Sequence, residues 1–316
     1  MKHKFSKNIS SQLKPLLKLN NYSCFVSLFY DYLIIAIAII LSLKISYFFY
    51  PITILLIGSR MRALATLFHD SIHFRLCKNK YLNKILGQYF AAMIILQDFE
   101  TYYKSHSILH HQKLGSLEDP DLIYYKQQKL YANKSTIYGF FNFIILPLLG
   151  SKTVSFVKYL LKNRLLKINE KDASIFLAFW FCTFLFLSLK GWFIYLVLFW
   201  LIPFLYVFPM IGWFIEIAEH YPLVGHEETR ELYKTRNRYS SFIEGFLTGI
   251  HGEKYHLTHH LNPAIPYYNI KKAHKIMLQD KKYFDADKKN GMGIFLPSKN
   301  RSSVVGKYLL KKEGEI

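Results

Sequence analysis

Three short histidine clusters constrain this chain more than anything else in it. Gly252-Glu-Lys-Tyr-His256-Leu-Thr-His259-His260 places histidines at i, i+3 and i+4. On an α-helix those offsets share one face, which predicts three imidazoles converging on one point. His69-Asp-Ser-Ile-His73 repeats the theme at i, i+4, and His106-Ser-Ile-Leu-His110-His111 at i, i+4 and i+5. His220 stands alone between the second and third clusters. Imidazole suits iron, copper, zinc and nickel. Nine histidines in four places are too many for one tetrahedral zinc and suit two metal ions.

The clusters alternate with apolar runs. Hydrophobic residues make up 52% of the 316, in discrete stretches long enough to cross a bilayer. Residues 25–43 and 45–67 read as one helical hairpin with a short turn near Lys44, and residues 173–189 and 192–215 as a second that turns at Lys190-Gly191. Asp31 interrupts the first run, and Arg60 and Arg62 lie near the end of the second, where they snorkel or face protein. Residues 85–96 are too short to span and read as interfacial or buried. Residues 137–149, with Pro147 and a closing Gly150, read as an interfacial or re-entrant helix.

The expected fold is therefore all-α and integral to the membrane, with four transmembrane helices as two hairpins and a cytoplasmic helical cap. Residues 1–24 form a basic lead without the features of a removable signal peptide, 25–274 the membrane domain, and 275–316 a polar, Lys-rich and peripheral tail. His3, His226 and His274 are expected to be solvated. The net charge of +20 follows from 41 Lys and Arg against 21 Asp and Glu. Nearly all that excess lies away from the two outer turns, which places both termini and the clusters on the cytoplasmic side. Basic residues flank apolar spans and no recognition module is apparent, which argues against nucleic acid. The three cysteines (Cys24, Cys77 and Cys182) are scattered, with no CxxC site and no disulfide framework.

An HDxxH box, an HxxxHH box and an HxxHH box, in that order and between apolar segments, resemble the membrane fatty acid desaturase and hydroxylase superfamily. The likeness runs from about Arg60 to His274, and Asp119-Pro-Asp121 and Pro263-Ala-Ile-Pro266 add to it. It implies a di-iron centre held by His69, His73, His106, His110, His111, His220, His256, His259 and His260. Asp70, Asp119 and Asp121 are candidates to take the far ring nitrogen of a ligand. Glu216 stands one helical turn before His220, where some animal relatives carry an Asn that reaches a metal through water. His251 has no clear counterpart and is a further supporting candidate. The second box departs from the usual HxxHH by one residue.

The resemblance implies an O2-dependent acyl desaturase. Its substrate would be an acyl-lipid, acyl-CoA or acyl carrier protein chain, and its cofactors two iron ions. With no haem domain fused at either end, electrons would come from a separate ferredoxin, flavodoxin or cytochrome b5-like donor and its NAD(P)H reductase. A hydroxylase or ketolase on the same scaffold is the alternative, and a non-catalytic metal-binding membrane protein a remote one. Zinc proteolysis is disfavoured, because His69-Asp-Ser-Ile-His73 lacks the Glu base of HExxH. Richness in Lys, Ile and Asn hints at an AT-rich bacterial genome, for which the expected location is the inner membrane.

Overall fold

Among the described residues, four helices are long and apolar enough to cross a membrane: Ser23–Ile45, Tyr47–Ile72, Glu170–Leu189 and Phe193–His220. The computed structural model describes residues 3–132, 135–225, 230–298 and 300–310. Among these the chain is helical, and strand pairing is confined to isolated bridges such as Arg238 with Met292. The second and fourth spans run further than their apolar stretches, to Ile72 and His220. Hydrophobicity marks where a helix leaves lipid, whereas the backbone hydrogen-bond ladder continues past that level. His69 and His220 therefore ride on the last turns of these spans.

The spans are not equivalent. Only 11% of the apolar window of the third span is buried, against 61% of the second. The second span is the central post, packed along the first and the fourth. Two glycines permit its close contacts. A Cβ on Gly58 would lie 2.4 Å from Val207 Cγ1 of the fourth span, and one on Gly87 would lie 2.0 Å from Ser71 Oγ. Gly87 belongs to the stretch read as interfacial or buried. It is buried, with Leu86, Ala91, Ala92, Met93 and Ile95 all interior.

Arg60 and Arg62 face protein. Arg60 lies 3.6 Å from Asp31 of the first span, and Arg62 lies 3.2 Å from Glu253. The segments Thr136–Leu148 and Lys152–Lys167 meet at 68°, with Gly150 in the left-handed region at the corner (φ +90°). Cys24 and Cys77, remote in sequence, bring their thiols together in the core, while Cys182 is exposed.

The C-terminal segment departs from expectation, because it is not peripheral. Met277, Tyr283 and Ala286 pack with Ile9, Leu13 and Leu257, and Val304, Val305 and Leu309 join the cluster around Trp213. Its lysines lie on the outer faces of amphipathic helices, and composition alone hides the inner ones. His274 is likewise buried, hydrogen-bonded at Nδ1 by the Tyr283 hydroxyl at 2.7 Å. His3 is shielded beside Asp280, 3.3 Å away. His226 lies outside the described residues.

Replacing Gly87 by Val forces a branched side chain into Ser71. It is expected to cost about 1–3 kcal/mol by overpacking, read as a lower thermal midpoint in detergent. An unchanged midpoint would contradict this packing.

Candidate metal centre

Each box owes its position to a local feature of the chain. The first closes the helix Tyr50–Ile72, with His69 in the last turn and His73 as the capping residue. The second lies on a π-helical stretch, Tyr103–His110, where the His111 amide reaches back five residues to the His106 carbonyl. A π turn holds one more residue than an α turn, so it absorbs the extra residue of HxxxHH. The third box occupies the short helix His256–Leu261.

The nine histidines fall into two groups. His69, His73, His106, His111 and His259 form one; His110, His220, His256 and His260 form the other. Within each group every ligand atom lies within 4.8 Å of the rest. This corrects the expectation that the third box converges on one point. Neighbours on a helix point about 100° apart, so His259 joins the first group and His260, with His256, the second. His110 and His111 part in the same way.

Spacings inside the groups fit ions. Nε2 of His106 lies 2.8 Å from that of His69 and 3.0 Å from that of His111, which lies 3.1 Å from His259. In the second group His256 sits 2.9 Å from His220 and 3.0 Å from His260, which lies 3.3 Å from His110. A ring nitrogen either donates or accepts; lone pairs aimed at a common cation satisfy all of these approaches together. Two nitrogens each about 2.1 Å from one ion at a right angle stand roughly 3.0 Å apart. His73 Nε2 is buried with no hydrogen-bond partner, an orphan that a metal would satisfy.

The far ring nitrogens are held as well. Gly115, with φ +74°, turns the chain after the second box and brings Asp119 back beneath it. Asp119 Oδ1 lies 3.0 Å from His110 Nδ1, and its Oδ2 accepts from the Gly115 amide at 2.7 Å. Asp121 Oδ2 is 3.4 Å from the same His110 nitrogen. His220 Nδ1 donates to the Lys234 carbonyl at 3.2 Å. Asp70 lies 3.7 Å from His69 Nδ1 while accepting the Tyr267 amide. Glu219, which the sequence reading did not single out, sits 3.5 Å from His256 Nδ1 and 3.1 Å from Arg238. Its one signal in the sequence is adjacency to His220. His251 faces elsewhere: its Nε2 lies 2.7 Å from Asp31, tying the approach to the third box onto the first span. Glu216 belongs to neither histidine group and lines the adjoining cavity.

Electrostatics favour the metal-binding form. Burial, followed by neighbouring imidazoles (and Arg75 beside His73), holds His73, His106, His111, His256, His259 and His260 well below the ordinary 6.5. His110 is the exception. Burial lowers it, but Asp121 and Asp119 outweigh that and raise it to about 9. A cavity of about 860 Å³ opens onto both groups, touching His69, His106 and His259 of the first and His110, His220 and His256 of the second.

Comparison with known proteins agrees with this geometry. The profile of the fatty acid desaturase family matches residues 45–286. Dihydrorhizobitoxine desaturase of Bradyrhizobium elkanii is 37% identical over 289 residues, which cover 88% of this chain and 82% of that protein. The chain belongs to the membrane fatty acid desaturase family. It is an oxidoreductase, and its helices, histidine clusters and apolar spans are those of a membrane enzyme of that kind.

Two outcomes are expected. As pH falls through 6.5 the unfolded chain takes up protons that the six lowered histidines refuse, so stability of the metal-free protein drops on acidification. His110 opposes this, since its stabilising effect is complete below 6.5 and is lost only as pH rises through about 9. So does Asp121, whose carboxyl is raised by burial, so that the folded state takes up that proton before the unfolded chain does. Thermal midpoints that rise from pH 7 to pH 5 would refute the assignment. Asp119→Asn removes the charge behind His110 and should weaken metal binding by about ten- to a hundredfold in chelator competition.

Proposed function

We propose that the protein is an O2-dependent desaturase whose nine histidines hold two irons, one in each group. Asp70, Asp119, Asp121 and Glu219 would orient the ligands. The observation that carries this reading is the pair of neighbouring histidine groups, with the orphaned Nε2 of His73, at the wall of one large cavity. Iron dependence of the family supports the choice of metal. Bound there, the irons would supply the O2-dependent oxidation of an unactivated C–H bond that no side chain can perform.

The chain's own residues would do the rest. Ring nitrogens fixed by Asp119 and the Lys234 carbonyl keep the opposite lone pairs on the metals. The cavity walls align one carbon–carbon bond beside the centre and limit water around it. In the overall balance the substrate loses two hydrogens as a double bond forms, and O2 becomes two waters. Two electrons from a separate donor protein and two protons complete the sum. The family likeness makes an acyl chain, carried on lipid, coenzyme A or acyl carrier protein, the first substrate class to consider. The 37% identical relative is named for dihydrorhizobitoxine rather than for a fatty acid.

The spans are read as two hairpins with outer turns near Lys44 and Lys190. The boxes, the cap and both termini then face the cytoplasm, and in a bacterium the membrane is the inner one. The domain division is read as a short N-terminal lead, a membrane unit holding all three boxes, and a C-terminal segment folded onto it.

Metal analysis tests the reading. The purified protein should hold about two irons per chain. His259→Ala, which touches only the first group, and His260→Ala, which touches only the second, should each lose about half. Zinc alone, or no metal after expression with iron, would overturn it. Product mass then separates desaturation, a loss of two hydrogens, from hydroxylation, a gain of one oxygen.

A further inference from the structure

The wall of the cavity is mostly apolar, with Phe68, Leu109, Phe156 and Phe208 among its residues, but it carries buried charged groups that an acyl chain alone would not use. Lys152 is buried, yet no carboxylate among the described residues lies within ion-pair distance of its ammonium. Its Nζ donates to Gln128 Oε1 at 2.7 Å and sits 3.4 Å from the Trp213 ring centre. Arg164 is 1% exposed and, among the described residues, bonds neutral groups: Gln97 Oε1 at 2.7 Å, Ser105 Oγ at 3.0 Å, the Asn163 carbonyl at 3.0 Å and the Tyr159 hydroxyl. Both line the cavity. They stand twelve residues apart, one opening the helix Lys152–Asn163 and the other following it, so roughly 18 Å of helix separates them. Charge therefore marks both ends of that length. Between the fourth span and this helix, Glu216 presents a carboxylate to the same space, with no side-chain hydrogen bond or ion pair from the described residues. Its neighbour Arg62 is already engaged by Glu253.

Arg164 is satisfied by its neutral hydrogen bonds, but methylenes packed against Lys152 and Glu216 would leave two buried charges without a counter-ion among the described residues, which is costly. A solute carrying both charges would instead complete them. Resting on the desaturase reading above, we propose that this site takes a small zwitterion of the amino-acid type. Its carboxylate would sit on Lys152 and its ammonium on Glu216, and the saturated side chain would extend toward the histidine groups. Exposed Lys104, Lys158 and Lys162 at the rim draw anionic solutes toward the entrance.

A zwitterion can also be the headgroup of a lipid, so the test has separate arms. Full-length protein in detergent is titrated with L-norleucine, n-hexanoate, stearate and dispersed phosphatidylethanolamine, with the thermal midpoint and calorimetric affinity as readouts. Norleucine should bind at least about tenfold more tightly than hexanoate, which lacks the ammonium. Its binding should be lost in Lys152→Met and Glu216→Gln but kept in Lys152→Arg and in Lys190→Met, a change at the distant outer turn. The proposal is overturned if stearate or phosphatidylethanolamine binds and norleucine does not, if none of the four binds, or if norleucine binds Lys152→Met and Lys190→Met alike. Iron content of the same samples is read separately. Iron without norleucine binding removes only the zwitterion, whereas norleucine binding without iron removes the desaturase reading and keeps the clamp.

Discussion

Imidazole nitrogens clustered within 2.8–3.3 Å of one another cannot all be paired by their own ring protons, and a cation among them satisfies every lone pair at once. Much of the rest of the structure answers that constraint. The nitrogens come from four separate segments, and each segment needs a rigid support. The second and fourth spans give His69, His73 and His220 helical supports that lipid-length hydrophobicity stabilises independently of any metal. The π-helical second box and the six-residue third box have no such support of their own. They are held by what packs behind them.

That support is largely electrostatic. Glu219 and Glu253 both face Arg238, Glu253 also meets Arg62, and Asp31 lies between Arg60 and His251. These bridges cross from the spans to the approach to the third box. Buried ion pairs of this kind add little net stability, because desolvation offsets attraction, but breaking one is costly. Their effect is to fix orientation. The buried cluster of Asn237, Tyr283, Asp287 and His274 acts from the other side: Asn237 accepts the Thr258 amide of the third box and donates to Asp287. The C-terminal segment thereby belongs to the support of the metal centre.

The contrast between the centre and its cavity is chemical. Desolvation keeps most of the box histidines neutral, which is the form that binds metal. The same desolvation makes Lys152 and Glu216, which have no counter-ion within ion-pair distance among the described residues, expensive where they stand. A cavity can retain such groups when the solute it receives neutralises them, and the walls then select for charge as well as for shape.

The order and spacing of the boxes, the four apolar spans and the basic loops were legible in the sequence, because each rests on local periodicity or composition. The nine histidines could be named for the same reason. Only tertiary structure decided which of them share a group. His259 and His260 are neighbours in the chain but point about 100° apart, and their partners come from segments roughly 150 residues away. Glu219 beside His256, Asp31 beside His251 and the buried C-terminal helices were invisible for a related reason. A charged or Lys-rich stretch has the same composition whether its polar face meets water or a partner, and only the packing of distant segments chooses between them.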